Sequence, residues 1–130
     1  MNSAYDPETA PDPADWLALD ETIRIGLVGD HHRLAGLEAA RPDAHVALHV
    51  TVENQIAMGL TYVSDACARL VAEGLSRHEA VHAIAAVLTE YMTELVRDKA
   101  PAPALARYQA NCEQITAESW RAWLQESADE

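Results

Sequence analysis

The chain has 130 residues, of which 49% are hydrophobic, and its 21 acidic against 9 basic side chains give a net charge of −12. A chain of this length can bury an ordinary core without disulfides or a structural metal. The acidic balance argues against binding to nucleic acid, which requires clustered Lys and Arg, and against anionic membranes. No apolar run approaches the roughly 20 residues that span a bilayer, and the polar, acidic N-terminus is unlike a secretory signal. We therefore expect a cytoplasmic protein with no nucleic-acid or membrane partner.

The hydrophobic pattern predicts one all-α domain. Residues 1–12 are rich in Pro, Asp, Ser and Thr without a hydrophobic period, which predicts a disordered acidic tail. From residue 13 to 127 the apolar residues recur at helical spacing, and no segment shows the alternation of a strand. Helix starts are predicted at Asp12-Pro13 and Ser76, and helix ends at Gly59 and Gly74. We expect a compact bundle of about five to six helices over residues 13–127.

Four of the six histidines form two pairs, each with a spacing of four residues. His45 and His49 lie on the predicted helix that starts near residue 42, and Glu53 extends the series by one turn. This spacing places all three side chains on one helical face, within the sector of that helix's apolar residues. Burying such polar groups without partners costs a few kcal/mol, so the pattern predicts hydrogen-bond partners or a bound ion.

The second pair belongs to the segment His78-Glu79-Ala80-Val81-His82, which matches the helix-borne zinc pattern H-E-x-x-H. In that pattern the two histidines bind the metal and the glutamate activates its water. The extended form of the motif is absent, because Ala85 and Leu88 stand where its Gly and third His would be. A third ligand would therefore come from elsewhere. The candidates are His45, His49, Glu53, Glu90, Glu94 and Glu113.

Other interpretations of the same residues remain open. Ser76 and Glu79 form a capping box, and a glutamate engaged at the helix start is poorly placed to act as a general base. The E-x-x-H unit of di-iron bundles occurs once, whereas those proteins need two units and two further glutamates. Cys67 is interpreted as a core residue, and Trp120 and Trp123 as a stripe that docks the terminal helix.

The chain resembles a family of small bacterial all-helical proteins of unknown function. The resemblance covers about residues 13–98 and rests on three motifs: Trp16-Leu17-Ala18-Leu19-Asp20-Glu21, His45-x3-His49-x3-Glu53-Asn54-Gln55, and Arg77-His78-Glu79-Ala80-Val81-His82-Ala83-Ile84. It implies an all-helical cytosolic domain. It brings no activity, substrate or ligand that could be transferred to these residues.

Two functions fit these observations. The first is a non-enzymatic interaction or scaffold domain, a homodimer, whose histidines and glutamates form a buried polar network. The alternative is a helical protein that binds one divalent ion, zinc or iron, and acts as a hydrolase. In the alternative, His78 and His82 are ligands, His45, His49 or Glu53 supplies the third, and Glu79 is the base. It requires the two histidine pairs to face each other, since one ion cannot bridge side chains more than about 8 Å apart.

Overall fold

The computed structural model describes residues 5–34 and 42–129, with side chains for 5–29 and 45–126. These segments contain seven α-helices and no strand. The helices are α1 (Pro13–Ala18), α2 (Glu21–Leu34), α3 (Pro42–Ala57), α4 (Thr61–Ala72), α5 (Arg77–Asp98), α6 (Pro101–Gln114) and α7 (Ala117–Asp129). The all-α prediction is confirmed. The predicted count of five to six helices is too low, because extended residues at Leu19 and Ile115 separate α1 from α2 and α6 from α7.

Local sequence signals account for most helix boundaries. The Asp12 carboxylate accepts a hydrogen bond from the Asp15 N–H at 3.0 Å, and Pro13 occupies the first position of α1. Gly59 and Gly74 end α3 and α4 with φ angles of +83° and +109°, a region that glycine adopts without a steric penalty. The hydrophobic spacing also predicts an amphipathic helix from about residue 21 to about residue 38, and its predicted end lies outside the described residues.

Helix α3 lies between two hydrophobic clusters. Val46 and Val50 pack with Tyr5, Trp16 and Val28 from the N-terminal segment, α1 and α2. On a neighbouring face, α3 contributes Val52, Leu48 and Ile56 to the larger cluster with α4, α5, α6 and α7. His45, His49 and Glu53 project between these two apolar stripes at about 100° per residue. The polar stripe of α3 is therefore held inside the fold by the burial of both its neighbours.

The N-terminal segment packs against the helices, in contrast to the disordered tail that its composition predicts. Tyr5 is only 8% exposed, and the Pro7 side chain is fully buried. The Pro7 carbonyl accepts a hydrogen bond from the Arg77 guanidinium at 2.9 Å, and the Glu8 carboxylate accepts one from the Arg77 N–H at 2.9 Å. Residues 1–4 lie outside the described residues. Specific contacts to α5 thus order residues 5–8, whose composition alone offers no hydrophobic period.

The first two thirds of α5 form the most buried part of any helix in the described segments. Ala80, Val81, Ile84 and Leu88 are buried, whereas Met92, which the sequence pattern places on the same stripe, is 49% exposed. The apolar packing therefore fixes the part of α5 that carries the H-E-x-x-H segment. Across the described residues, no helix is long and apolar enough to cross a membrane.

Burial of the cysteines predicts an alkaline instability. Burial raises the pKa of the Cys112 thiol from 9.0 to about 11, so the folded chain holds this proton where the unfolded chain has lost it. The free energy of unfolding should therefore decrease as the pH rises from 9 to 11. Thermal melting measured by circular dichroism across this range checks the slope. The Cys112→Ala variant should show a shallower decrease, and an unchanged slope would contradict this assignment.

Candidate metal centre

Helices α3 and α5 pack against each other and bring the two histidine pairs together. The ring centroids of His78 and His82 on α5 lie 4.2 Å apart, and those of His49 on α3 lie 5.1 Å and 5.4 Å from them. The His45 ring lies 4.6 Å from that of His82. All four side chains that the sequence singled out as pairs therefore meet in one place, which satisfies the distance condition for sharing one ion.

Three of these histidines offer nitrogen atoms at a spacing suited to one metal ion. One ring nitrogen each of His49, His78 and His82 lies within 4.8 Å of the other two. Next to this group, Nε2 of His45 lies 3.2 Å from Nε2 of His82. Two nitrogens bound to one tetrahedral zinc at about 2.1 Å are about 3.4 Å apart, so the last distance resembles one edge of such a site.

Glu53 lies beside the histidines but is engaged with another residue. Its carboxylate accepts two hydrogen bonds from the Arg77 guanidinium, at 2.7 Å and 2.8 Å. The Glu53 side chain is completely buried and that of Arg77 is 11% exposed. A bidentate pair of this kind occupies both carboxylate oxygens, which leaves Glu53 poorly placed to serve as a metal ligand. The structure thus separates Glu53 from the three-histidine group.

Tyr5 connects this ion pair to the histidines. Its hydroxyl donates to the Glu53 carboxylate and lies 2.7 Å from Nε2 of His49. Because the single hydroxyl proton goes to Glu53, we assign the proton of the second hydrogen bond to His49 Nε2, which then donates to the Tyr5 oxygen. The lone pair of His49 that could bind an ion is then on Nδ1. Carboxylates commonly fix the tautomer of metal-binding histidines, and here the carboxylate acts through a tyrosine.

The surroundings of Tyr5 and Arg77 raise the pKa of both groups, so that Tyr5 stays neutral and Arg77 stays charged. Burial, followed by the neighbouring charge of Glu53, raises the pKa of Tyr5 well above its usual range and keeps the hydroxyl neutral. Burial lowers the pKa of Arg77, but the hydrogen bonds and charge of Glu53 raise it by more, so the guanidinium stays charged. This network therefore holds one ion pair and one neutral hydroxyl.

The N-terminus of α5 receives a second carboxylate. Glu8 accepts hydrogen bonds from the backbone N–H groups of Arg77, at 2.9 Å, and of His78, at 3.4 Å. These are among the amides that a helix leaves unpaired at its start, where a negative charge is favourable. Glu8 thus caps the helix that carries His78 and His82, and the positive end of that helix balances its charge.

The remaining sequence candidates lie outside the three-histidine group. The Glu79 N–H donates to the Ser76 hydroxyl at 3.1 Å, as the capping box predicts for this half of the motif. Glu94 forms an ion pair with Arg107, and Glu113 is exposed on α6. Glu90 lines a cleft that also includes His45 and His82. Among the described residues, the grouped ligand candidates are all histidines.

Sequence reasoning missed Tyr5 and Arg77, although they complete the centre. Arg77 directly precedes His78 and is one of only 9 basic residues, so its scarcity and its place next to the motif were the signals that could have found it. Tyr5 lies in a segment without periodicity and offered none. Asn54 and Gln55, which follow Glu53, are also explained: they accept hydrogen bonds from Trp16 at 3.0 Å and from Tyr108 at 2.6 Å, respectively.

Comparisons of the chain with protein-family models, curated proteins and solved structures give no match. The function is therefore argued from the geometry of this centre.

The Glu53–Arg77 pair should contribute strongly to stability. Glu53→Gln leaves the buried Arg77 charge without its counterion, a change that costs about 3 kcal/mol or more in buried pairs. Urea unfolding followed by circular dichroism, in the presence of a chelator, measures this loss. As a matched control, Asp98→Asn breaks the exposed Arg97–Asp98 pair and should leave the urea midpoint unchanged. Equal midpoints for the two variants would contradict the assigned role of the buried pair.

Proposed function

We propose that the protein binds one divalent transition-metal ion through His49, His78 and His82. The observation that carries the proposal is the approach of their ring nitrogens to within 4.8 Å of one another, inside a largely buried interface between two helices. His45, at 3.2 Å from His82, stands beside the group as a fourth nitrogen. Three imidazole ligands with a fourth position for another ligand are typical of catalytic zinc sites.

The ligand set favours particular metals. Imidazole nitrogen suits zinc, iron, copper and nickel, whereas magnesium and calcium prefer oxygen ligands. Glu53, the carboxylate that Tyr5 links to His49, is held by Arg77 and Tyr5. We therefore propose zinc or iron(II), and not magnesium, as the bound ion.

The contacts described above support metal binding more than they support hydrolysis with Glu79 as the base. A general base must reach the water that it activates, either directly or through one further water. Glu79 lies outside the grouped residues, and its backbone belongs to the first turn of α5 that Ser76 caps. The role of Glu79 as the base of a hydrolytic step therefore stays a prediction from the H-E-x-x-H pattern.

A second candidate function rests on the same contacts without an ion. The His45–His82 distance of 3.2 Å also fits a hydrogen bond, and the Tyr5–Glu53–Arg77 contacts are complete within the protein. The histidines would then form a structural network that joins α3 to α5 in a non-enzymatic interaction domain. Metal binding separates the two functions, because only the first predicts a stoichiometric ion.

Metal content tests the proposed function directly. Tag-free protein purified without chelator should contain close to one equivalent of zinc or iron, or should take up one equivalent of cobalt(II) with the visible d–d bands of a nitrogen-rich site. His78→Gln/His82→Gln should lose this uptake, since both substitutions remove a ligand from the group. Glu79→Gln, the matched control between them, should retain it. Less than about a tenth of an equivalent in every protein would overturn metal binding.

A bound ion should also stabilise the fold. A ligand that binds only the folded chain adds RT ln(1 + [L]/Kd), which is about 4 kcal/mol at a thousandfold excess over Kd. Differential scanning calorimetry with added zinc and then with excess chelator should show a higher melting temperature with the metal. The double histidine variant should melt at one temperature under both conditions. A wild-type protein that also shows no difference would favour the structural network.

Tyr5 should act on metal affinity through His49. Tyr5→Phe keeps the aromatic packing but removes the hydroxyl that holds the His49 tautomer. Loss of such supporting hydrogen bonds typically weakens metal binding by about 10–100-fold. Competition titration with a chromophoric chelator measures the change. Tyr62→Phe, which alters a partly buried tyrosine of the other cluster, should leave the affinity unchanged. Equal affinities for the wild type and Tyr5→Phe would refute the assigned role.

A further inference from the structure

A cleft adjoins the histidine centre at His45 and His82. It has a volume of about 580 Å³ and lies between α3, α5 and α7. This volume falls in the range of small-molecule sites, about 300–1,000 Å³. His82, which belongs to the three-histidine group, and His45 both line the cleft. The cleft therefore gives a small molecule a route to the centre.

The polar and apolar groups of the cleft are unevenly distributed. The two histidines come from facing positions on α3 and α5, where their nitrogens are 3.2 Å apart. Most of the remaining wall is apolar and includes Leu48, Ala86 and Ile115. A few convergent polar groups within an apolar wall are typical of a ligand site, because they orient a molecule that the wall holds. This arrangement fits a molecule with a polar head and an apolar body.

Two tryptophans of α7 line one side of the cleft. The rings of Trp120 and Trp123 are stacked, with centroids 5.2 Å apart and an interplanar angle of 17°. Trp123 remains 48% exposed, so a large aromatic surface is left uncovered beside the cleft. The indole N–H of Trp120 is buried and has no hydrogen-bond acceptor within the described residues. Such an unsatisfied donor commonly indicates a partner that supplies the acceptor.

The negative charges of the protein further restrict the class of molecule that the cleft can bind. Glu90 also lines the cleft, and the chain carries a net charge of −12. Both disfavour an anionic molecule, even one that could bind a metal ion through a carboxylate. The stacked indoles favour a planar apolar body by dispersion and burial. A head that donates a lone pair to a metal ion must also be unprotonated, which disfavours a cation, so the occupant is expected to be neutral and aromatic.

We propose that the cleft binds a small neutral aromatic molecule whose nitrogen or oxygen head coordinates the metal ion beside His82, with its ring against Trp120 and Trp123. This inference rests on the proposed metal-binding function and names the class of ligand that the metal centre accepts. It also gives the exposed Trp123 a role, which docking of α7 against the other helices does not explain.

The test compares imidazole with 4-phenylimidazole at pH 8, where both are neutral, on protein loaded with cobalt(II). Cobalt uptake is measured first, so that failure of the metal centre is visible before any ligand is added. Both compounds should shift the cobalt d–d bands, because both carry the coordinating head. The phenyl compound should bind at least about tenfold more tightly, because its ring is buried in the cleft. Metal-free protein should bind it at least about tenfold more weakly than loaded protein.

Two variants report on the cleft itself. Ala86→Phe fills the space and should remove the advantage of the phenyl compound while leaving imidazole binding unchanged. Ala68→Phe, on an exposed face of α4 outside the cleft, is the matched control and should behave as the wild type. Trp123→Ala trims an exposed side chain and should also weaken only the phenyl compound, which keeps the test decisive if Ala86→Phe fails to fold.

Each outcome supports or overturns the proposal. A phenyl advantage that needs cobalt and disappears in Ala86→Phe or Trp123→Ala supports it. Equal affinities of the two compounds for loaded protein would overturn the cleft ligand while leaving metal binding intact. Equal binding of 4-phenylimidazole to loaded and metal-free protein, without a spectral shift, would overturn coordination of the head. Absence of cobalt uptake would overturn both proposals at the first step.

Discussion

The buried ion pair between Glu53 and Arg77 sets the position of α5 relative to α3, and the candidate centre depends on it. Both charges lose most of their contact with water, a cost that only good geometry and further hydrogen bonds can offset. Those bonds are present: the Tyr5 hydroxyl donates to Glu53, and the Pro7 carbonyl accepts from Arg77. A shift of either helix by one turn would separate the two charges inside the protein. The pair therefore defines the register in which the histidines meet.

Residues 5–8 of the N-terminal segment form a short stretch without a hydrophobic period, yet Tyr5 and Pro7 are buried in the protein. Tyr5 packs against Trp16 and His49, with ring centroids at 5.6 Å and 5.5 Å. Glu8 meets the amides at the start of α5, where a helix always leaves donors unpaired. One segment thus supplies an aromatic side chain, a hydroxyl proton and a helix cap. Its composition predicts disorder because the hydrogen bonds of the Tyr5 hydroxyl and the Glu8 carboxylate need partners that lie 44 residues or more away in the chain.

The spacing of the histidines along each helix could be predicted from the sequence, whereas the residues that they and Glu53 meet on the other helix could not. A spacing of four placed His45 and His49 on one face and His78 and His82 on another, and the prediction that metal binding needs these faces to meet follows from bond lengths alone. Glu53 shares the spacing of His45 and His49, so the pattern treated it as an equal ligand candidate. Its actual partner, Arg77, depends on which residue of α5 lies opposite, and helix periodicity carries no such information.

The sequence by itself determined the helices, because capping residues, glycines and apolar spacing act within a few residues of chain. It also placed His78 and His82 as a stripe on one face of α5, and it determined that the stripe of His45, His49 and Glu53 on α3 would face inward, since the neighbours of that stripe are apolar. Only the tertiary structure decided that the stripes face each other, that Tyr5 reaches His49, and that a cleft beside α7 opens on His45 and His82. Those features depend on packing between segments distant in sequence, where many alternative pairings satisfy the same local pattern and only the complete core selects one.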